Sequence, residues 1–236
     1  MKLPLQPLDP DSPSSERLFV QALGRLPMFP LPGVVLFPHA MLPLHIFEER
    51  YRKMTRDVLE SHRHLAMAML ESPTDDAAHE GPAARPAVRP VMGVGEVVMA
   101  HELPDGRFNL VVRGRARVEL QEELTTVEPY RMIVAHVRAD AAVTQPRELA
   151  DADQSLRALV GRLADGIPEG GELLRQVVAS QATPTELADV LAAALVVDVR
   201  KRQRLLETRD LVKRIERVTA EVVAMTARLG STAPAN

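Results

Sequence analysis

Seven histidines, one acid-and-arginine cluster and two arginine-rich stretches are the residues of this chain that could carry chemistry. The histidines, His39, His45, His62, His64, His79, His101 and His136, are scattered, and only His62-x-His64 forms a close pair. A metal site needs several converging ligands and a supporting hydrogen-bonded shell. Exposed or singly bonded histidines fit this spacing better, and His45 in the Pro-Leu-His-Ile-Phe run reads as structural. Glu48, Glu49, Arg50 and Arg52 open a helical pattern, where acids suit the helix dipole. A catalytic carboxylate pair would need a second acid across a cleft. The chain has no cysteine, which excludes disulfides, thiol nucleophiles and cysteine-ligated metals. No glycine precedes a lysine, so the phosphate-cradling Gly-Lys-Ser/Thr step is missing. Gly93-Val-Gly95 lacks the third glycine and following helix of a dinucleotide fingerprint and reads as room for close strand packing or a barrel bend. The expectation is no catalytic residue, no cofactor and no metal.

What remains is binding. Phe37, Leu44, Phe47 and Tyr51 come from neighbouring segments and could line an apolar surface that recognises exposed hydrophobic side chains. The competing reading is core, favoured for Phe47 and Tyr51 because they follow a helix's inner stripe. Leu211, Ile215, Val218, Val222, Met225 and Leu229 alternate spacings of four and three, a narrow seam suited to a helix pair or a partner. Two basic zones, Arg113, Arg115 and Arg117, and then Arg200, Lys201, Arg202 and Arg204 with Arg209, Lys213, Arg214 and Arg217, could contact nucleic-acid phosphates. The aromatic content is 3% with no tryptophan, so rings to stack bases are scarce. Glu207, Asp210, Glu216 and Glu221 intersperse the second zone, which suits a solvated, salt-bridged helix face.

The elements that must position these residues fall into two groups. Residues 1–24 read as a flexible tail, with a short helix expected from about Ser15. From Leu26 the pattern is of short strands. The run LPMFPLPGVVLFP holds four prolines and reads as two strands around a turn at Pro32-Gly33. Met41–Ile46 follows as a strand, Glu48–Ser61 as a helix, and Leu65–Leu70 as a strand. Residues 72–90 read as a long mobile loop. Val91–Leu103 and Arg107–Arg113 form a hairpin through Pro104-Asp105-Gly106. Ala116–Leu124 and Tyr130–Val137 complete the set. Residues 25–143 thus read as a small barrel or sandwich, and residues 144–230 as a helical unit, with 231–236 a tail. Within the helical unit, Thr183-Pro184-Thr185-Glu186 is a capping box, and Thr208 could cap the final helix.

The net charge of −3 gives no global attraction to nucleic acid or anionic membranes. The longest apolar run, Val190–Val197, falls well short of the ~20 residues a bilayer requires. No signal-peptide pattern opens the chain, so a cytoplasmic location is expected.

Three blocks carry a family resemblance. LPMFPLPGVVLFPHAMLPLHIFEERYRKM (Leu26–Met54) resembles the opening of the amino-terminal domain of Lon proteases, and its PLHIFEERY portion looks most like free-standing bacterial members. GVGEVVMAHELPDGRFNLVVRGRARV (Gly93–Val118) is similar to that family's central hairpin, and Leu187–Val218 to its helical subdomain. The resemblance implies an α+β fold: a PUA-like β pseudo-barrel of about six strands plus a helix, followed by a C-terminal helical bundle. It also implies a protein or unfolded polypeptide as partner, bound without ATP in a groove between barrel and helices, by a monomer or weak homodimer. PUA-like folds also serve RNA binding, which is the alternative. With no P-loop, and with the sequence stopping soon after Leu229, neither the ATPase nor the Ser–Lys protease machinery is expected.

Overall fold

The computed structural model describes residues 12–71, 85–167 and 170–232. The chain divides into two compact units, Met1–Arg138 and Ala139–Asn236, so the boundary falls a few residues before the expected 143.

The first unit opens with helix α1 (Pro13–Leu23), which begins two residues before the short helix expected from about Ser15. Ser12 caps it by accepting from the Ser15 amide, and Phe19 and Ala22 are buried. Six strands follow: β1 (Leu26–Leu31), β2 (Met41–Ile46), β3 (His64–Met69), β4 (Val91–Glu102), β5 (Phe108–Leu124) and β6 (Arg131–Val137), with helix α2 (Glu49–Glu60) between β2 and β3. The order is β2-β5-β4-β3-β1-β6, and β5 also pairs with β6. The second pairing closes β1, β3, β4, β5 and β6 into a barrel. β2 is left outside it, paired only along the first half of β5, from Ile46↔Phe108 to Met41↔Arg113.

β5 is one continuous strand where two were expected. Val94 pairs with Ala116 and Gly95 with Gly114, so Arg115 is an extra, bulged residue. A bulge inverts the in–out alternation beyond it, which is why the sequence pattern looked broken there. The other departure is Val34–Phe37, expected as a strand. It is an irregular segment following Gly33, which turns at φ 73°. Leu36 and Phe37 are buried, and their carbonyls press onto β4 and β5. A Cβ on Gly93 would lie 1.8 Å from the Leu36 oxygen, and one on Gly114 1.9 Å from the Phe37 oxygen. The absence of side chains at these glycines is what admits the crossing segment.

One core cluster joins Phe29, Leu36, Ile46, Met67 and Phe108 to α2 through Tyr51, Met54 and Val58. A second joins Leu26, Met28, Met92, Val118 and Ile133 to Phe19 and Ala22 of α1. Strand β3 is buried at every position. Residues 72–84 of the expected loop, His79 among them, lie outside the described residues. The part that follows is tied down: Val88 bridges to Leu70, and Arg131 donates to the Pro86 carbonyl at 2.8 Å.

The second unit contains α3 (Pro146–Asp165), α4 (Gly171–Ser180), α5 (Pro184–Leu195), α6 (Val199–Glu207) and α7 (Leu211–Thr232). The Thr183/Glu186 capping box forms as expected. Asp210, not Thr208, caps α7, accepting from the Lys213 amide at 3.1 Å. Thr208 instead ends α6. The α7 seam packs inside this unit, with Leu211, Ile215, Val218 and Val222 all buried. The Leu229 side chain lies outside those described. Across the core, the fully buried Arg214 forms two hydrogen bonds to Asp140, at 2.8 and 2.7 Å, and faces the buried Asp189 at 3.3 Å.

Candidate functional site

Strand β2 forms the rim of an open sheet face. Its sequence, MLPLHI, alternates in burial: Leu42 and Leu44 pack toward the barrel core, while Met41, Pro43 and His45 point to solvent. The start of the strand is hooked onto β5 by His39 N–H to Gly114 O at 2.9 Å and Gly114 N–H to Ala40 O at 2.8 Å. The buried Phe37 ring anchors the approach. Pro43 lacks an amide donor, which a strand edge tolerates and a central strand does not. Among the described residues, no strand pairs with the outer edge of β2.

The outward face runs across three strands. Pro43 opposes Val111, which opposes Met99; His45 opposes Asn109, which opposes His101; Met41 opposes Arg113. Directly opposed residues project to the same side. Met41 is 58% exposed, Met99 61% and Phe47, just past the strand, 61%. His45 Nδ1 lies 2.7 Å from Asn109 Oδ1, and its ring stacks beside Phe47 with centroids 6.4 Å apart. The contact pins Phe47 against the end of the strand. Arg113 at the far end is held by Glu96 at 3.3 Å. The result is an outward face with Met41, Pro43, Val111 and Met99 toward one end and Phe47 at the other, the His45–Asn109–His101 row lying between them.

Of the four residues proposed for an apolar surface, only Phe47 is on it. Phe37 and Tyr51 are core, and Leu44 points inward. Phe47 precedes the helix and escapes the stripe it was expected to follow. The seam of Leu211, Ile215, Val218 and Val222 is used up by the bundle's own packing. Sequence reasoning missed Met41, Pro43 and Met99. The alternation of β2 contains the signal for Met41 and Pro43; Met99 faces outward because Val98 is an extra residue between Val97↔Val112 and Met99↔Val111.

The basic zones are mostly engaged. Arg113 pairs with Glu96, and Arg115 bonds Ser15 at 2.9 Å and Glu16 at 2.6 Å while covering the Phe19 ring. Arg117 is buried. Lys201 pairs with Glu221 at 2.6 Å, Arg202 is half-buried and Arg214 buried, while Arg200, Arg204, Arg209, Lys213 and Arg217 are exposed. The three barrel arginines therefore present no phosphate-binding row.

The described titratable clusters are tied into bonds within the fold. In a cleft of about 350 Å3, Lys53 bridges Asp57 and Glu128, each at 2.7 Å, and Tyr130 donates to Asp57 at 2.7 Å. Burial, then the Asp57 hydrogen bond, pushes the Tyr130 hydroxyl pKa up, so it stays protonated. His62 and His64 bond backbone: His64 Nδ1 lies 2.5 Å from the His62 carbonyl, and the His64 amide donates to His62 Nδ1. His64 is fully buried and its ring is singly bonded, as expected for one of the two readings of the histidines. Among the described residues, no three metal-ligating side chains converge, and no helix is long and apolar enough to cross a membrane.

The architecture is a closed small barrel with an edge strand unpaired among the described residues, followed in sequence by a helical unit. Residues 25–224 match the family model described as the ATP-dependent protease La (LON) substrate-binding domain, and the chain belongs to that family. A Lon protease of Dictyoglomus thermophilum is 27% identical over 194 residues, covering 82% of this chain and 24% of the relative. One from Xanthomonas oryzae pv. oryzae is 29% identical over 192 residues, covering 81% and 22%. The chain thus spans about a quarter of these relatives' length. Among solved structures, the N-terminal domain of Mycobacterium avium complex Lon protease superimposes with a TM-score of 0.66 at 14% identity, covering 84% of this chain and 98% of that one. A Lon N-terminal domain protein from Xanthomonas campestris does so with a TM-score of 0.57 at 21% identity, covering 83% and 97%. These two share the fold.

Proposed function

We propose that this protein grips exposed apolar segments of other polypeptides on the outward face of β2, β5 and β4, and does so without ATP and without cleaving them. The observation that carries the reading is the outward exposure of Met41, Phe47 and Met99 beside a strand edge unpaired among the described residues, in a chain of the Lon substrate-binding family. Burying a Met or Phe side chain contributes ~1.5–3 kcal/mol. Three such side chains, less the cost of association and ordering, give a transient grip suited to sampling unfolded chains. A PUA-like barrel acting in the cytoplasm, as a monomer or weak homodimer, belongs to the same proposal.

The test is fluorescence anisotropy of a labelled, permanently unfolded polypeptide, titrated with wild-type protein and with Phe47→Ser. Wild type binds whether or not ATP is present, and Phe47→Ser weakens binding about tenfold. Equal affinities would remove this face from the site. An RNA-binding reading would draw on Arg200, Arg204, Arg209, Lys213 and Arg217, exposed in a second unit with no aromatic residue. It would show as steeply salt-dependent RNA affinity lost on Arg200→Glu/Arg204→Glu.

A further inference from the structure

The methionines of this chain are sharply divided. Met28, Met54, Met67, Met69, Met92 and Met132 are buried in the two barrel cores. Met225 is half-buried on α7. Met41 and Met99 are both more than half exposed. Among the described residues these two are the exposed ones, and they stand on the same face, on the strands either side of β5, Met99 within the Pro43–Val111–Met99 row and Met41 beside it. Together with Phe47 they are its large exposed apolar side chains.

We propose that Met41 and Met99 are sites of reversible oxidation that switch this apolar face off. The inference rests on the polypeptide-binding reading for its consequence, but not for its chemistry. A thioether sulfur in water attacks hydrogen peroxide: the S–O bond forms, the O–O bond breaks, sulfur loses two electrons, and the peroxide leaves as water. The balance is R–S–CH3 + H2O2 → R–S(O)–CH3 + H2O. The product is polar and chiral. A sulfoxide strongly accepts hydrogen bonds from water, so covering it with a partner's apolar side chain incurs a desolvation cost where the thioether gained from burial. Two oxygen atoms placed on either side of β5 leave Phe47 as the face's only large unmodified apolar side chain. The core methionines have no access to the oxidant while the barrel stays folded, so the modification strikes the face and spares the fold. The thioethers also suit this face in the reduced state, because unbranched, polarisable side chains adapt to varied partners. Methionine sulfoxide is returned to the thioether by dedicated reductases, which makes the switch reversible.

The experiment treats the full chain briefly with hydrogen peroxide and follows three readouts. Peptide mass mapping is expected to show one added oxygen on Met41 and on Met99 well before any core methionine. Fluorescence of an apolar-surface dye and anisotropy of the unfolded polypeptide are expected to fall together, the affinity by about tenfold or more, and to recover after methionine sulfoxide reductase. In Met41→Leu/Met99→Leu, whatever its starting affinity, peroxide changes neither signal. Oxidation of core methionines at the same rate, or an equal peroxide response in the double variant, overturns the inference. If the polypeptide does not bind even before oxidation, the binding reading fails. The mass map and the dye signal still decide the oxidation proposal on their own.

Discussion

Replacing His64 by phenylalanine should alter the acid sensitivity of the barrel without touching its outer face. His64 is fully buried, packed against the Phe19 ring at 5.4 Å. Its Nε2 has no hydrogen-bond partner among the described residues. Burial lowers its pKa from 6.5 to about 4, outweighing the bond to the His62 backbone, with His62 and Arg115 pressing the same way as burial. Between those two values the unfolded chain holds the proton and the folded chain does not. The neutral histidine's contribution is therefore complete above pH 6.5 and lost as pH falls toward 4. Linkage puts the loss at about 2–3 kcal/mol between about pH 7.5 and about pH 4.5. His64→Phe removes this dependence, while neutral-pH stability falls by about 1 kcal/mol because the His62 carbonyl loses its partner. Both tyrosines, Tyr51 and Tyr130, lie in the first unit and the chain has no tryptophan. Urea denaturation followed by tyrosine fluorescence thus reports the barrel alone. The variant should lose about 2–3 kcal/mol less than wild type on acidification. Parallel losses in the two proteins would refute the argument that a neutral, desolvated imidazole is built into β3.

Two other substitutions test the packing. Gly114→Ala should lower barrel stability by about 1–3 kcal/mol or more in the same urea assay, because its methyl group would occupy the path of the Phe37 carbonyl. Arg214→Ala should destabilise the helical unit by about 3–5 kcal/mol, since it removes a buried cation bonded to Asp140 and facing the buried Asp189. Far-UV circular dichroism would show the loss as an earlier helical melt, and an unchanged melt would mean that Asp189 finds its compensation elsewhere.

The elements were largely legible in the sequence because their signals are local. Met41–Ile46 alternates, and Pro184 and Glu186 mark a helix start by caps and a fixed φ. What could not be read is non-local. Phe37 and Tyr51 could be core or surface until the Leu36–Phe37 segment was seen lying on Gly93 and Gly114. The bulge at Arg115 and the extra residue Val98 each reset which face a side chain joins, and a bulge has no sequence signature of its own. The arginine row Arg113, Arg115 and Arg117 looked like a phosphate track. Its partners, Glu96 and Glu16, come from another strand and from a helix roughly a hundred residues away. The α7 heptad spacing correctly announced a packed seam but could not say that the partner helices lay within the same unit.

The most direct measurement of where this protein holds a polypeptide is photo-crosslinking. An unfolded chain bearing a short-range photoreactive group is bound and irradiated, and the attachment sites are mapped by mass spectrometry. The account predicts attachment at Met41–Phe47 and on the outward residues of Val97–Val111. Attachment confined to the helical unit, or to the cleft around Lys53 and Tyr130, would contradict it.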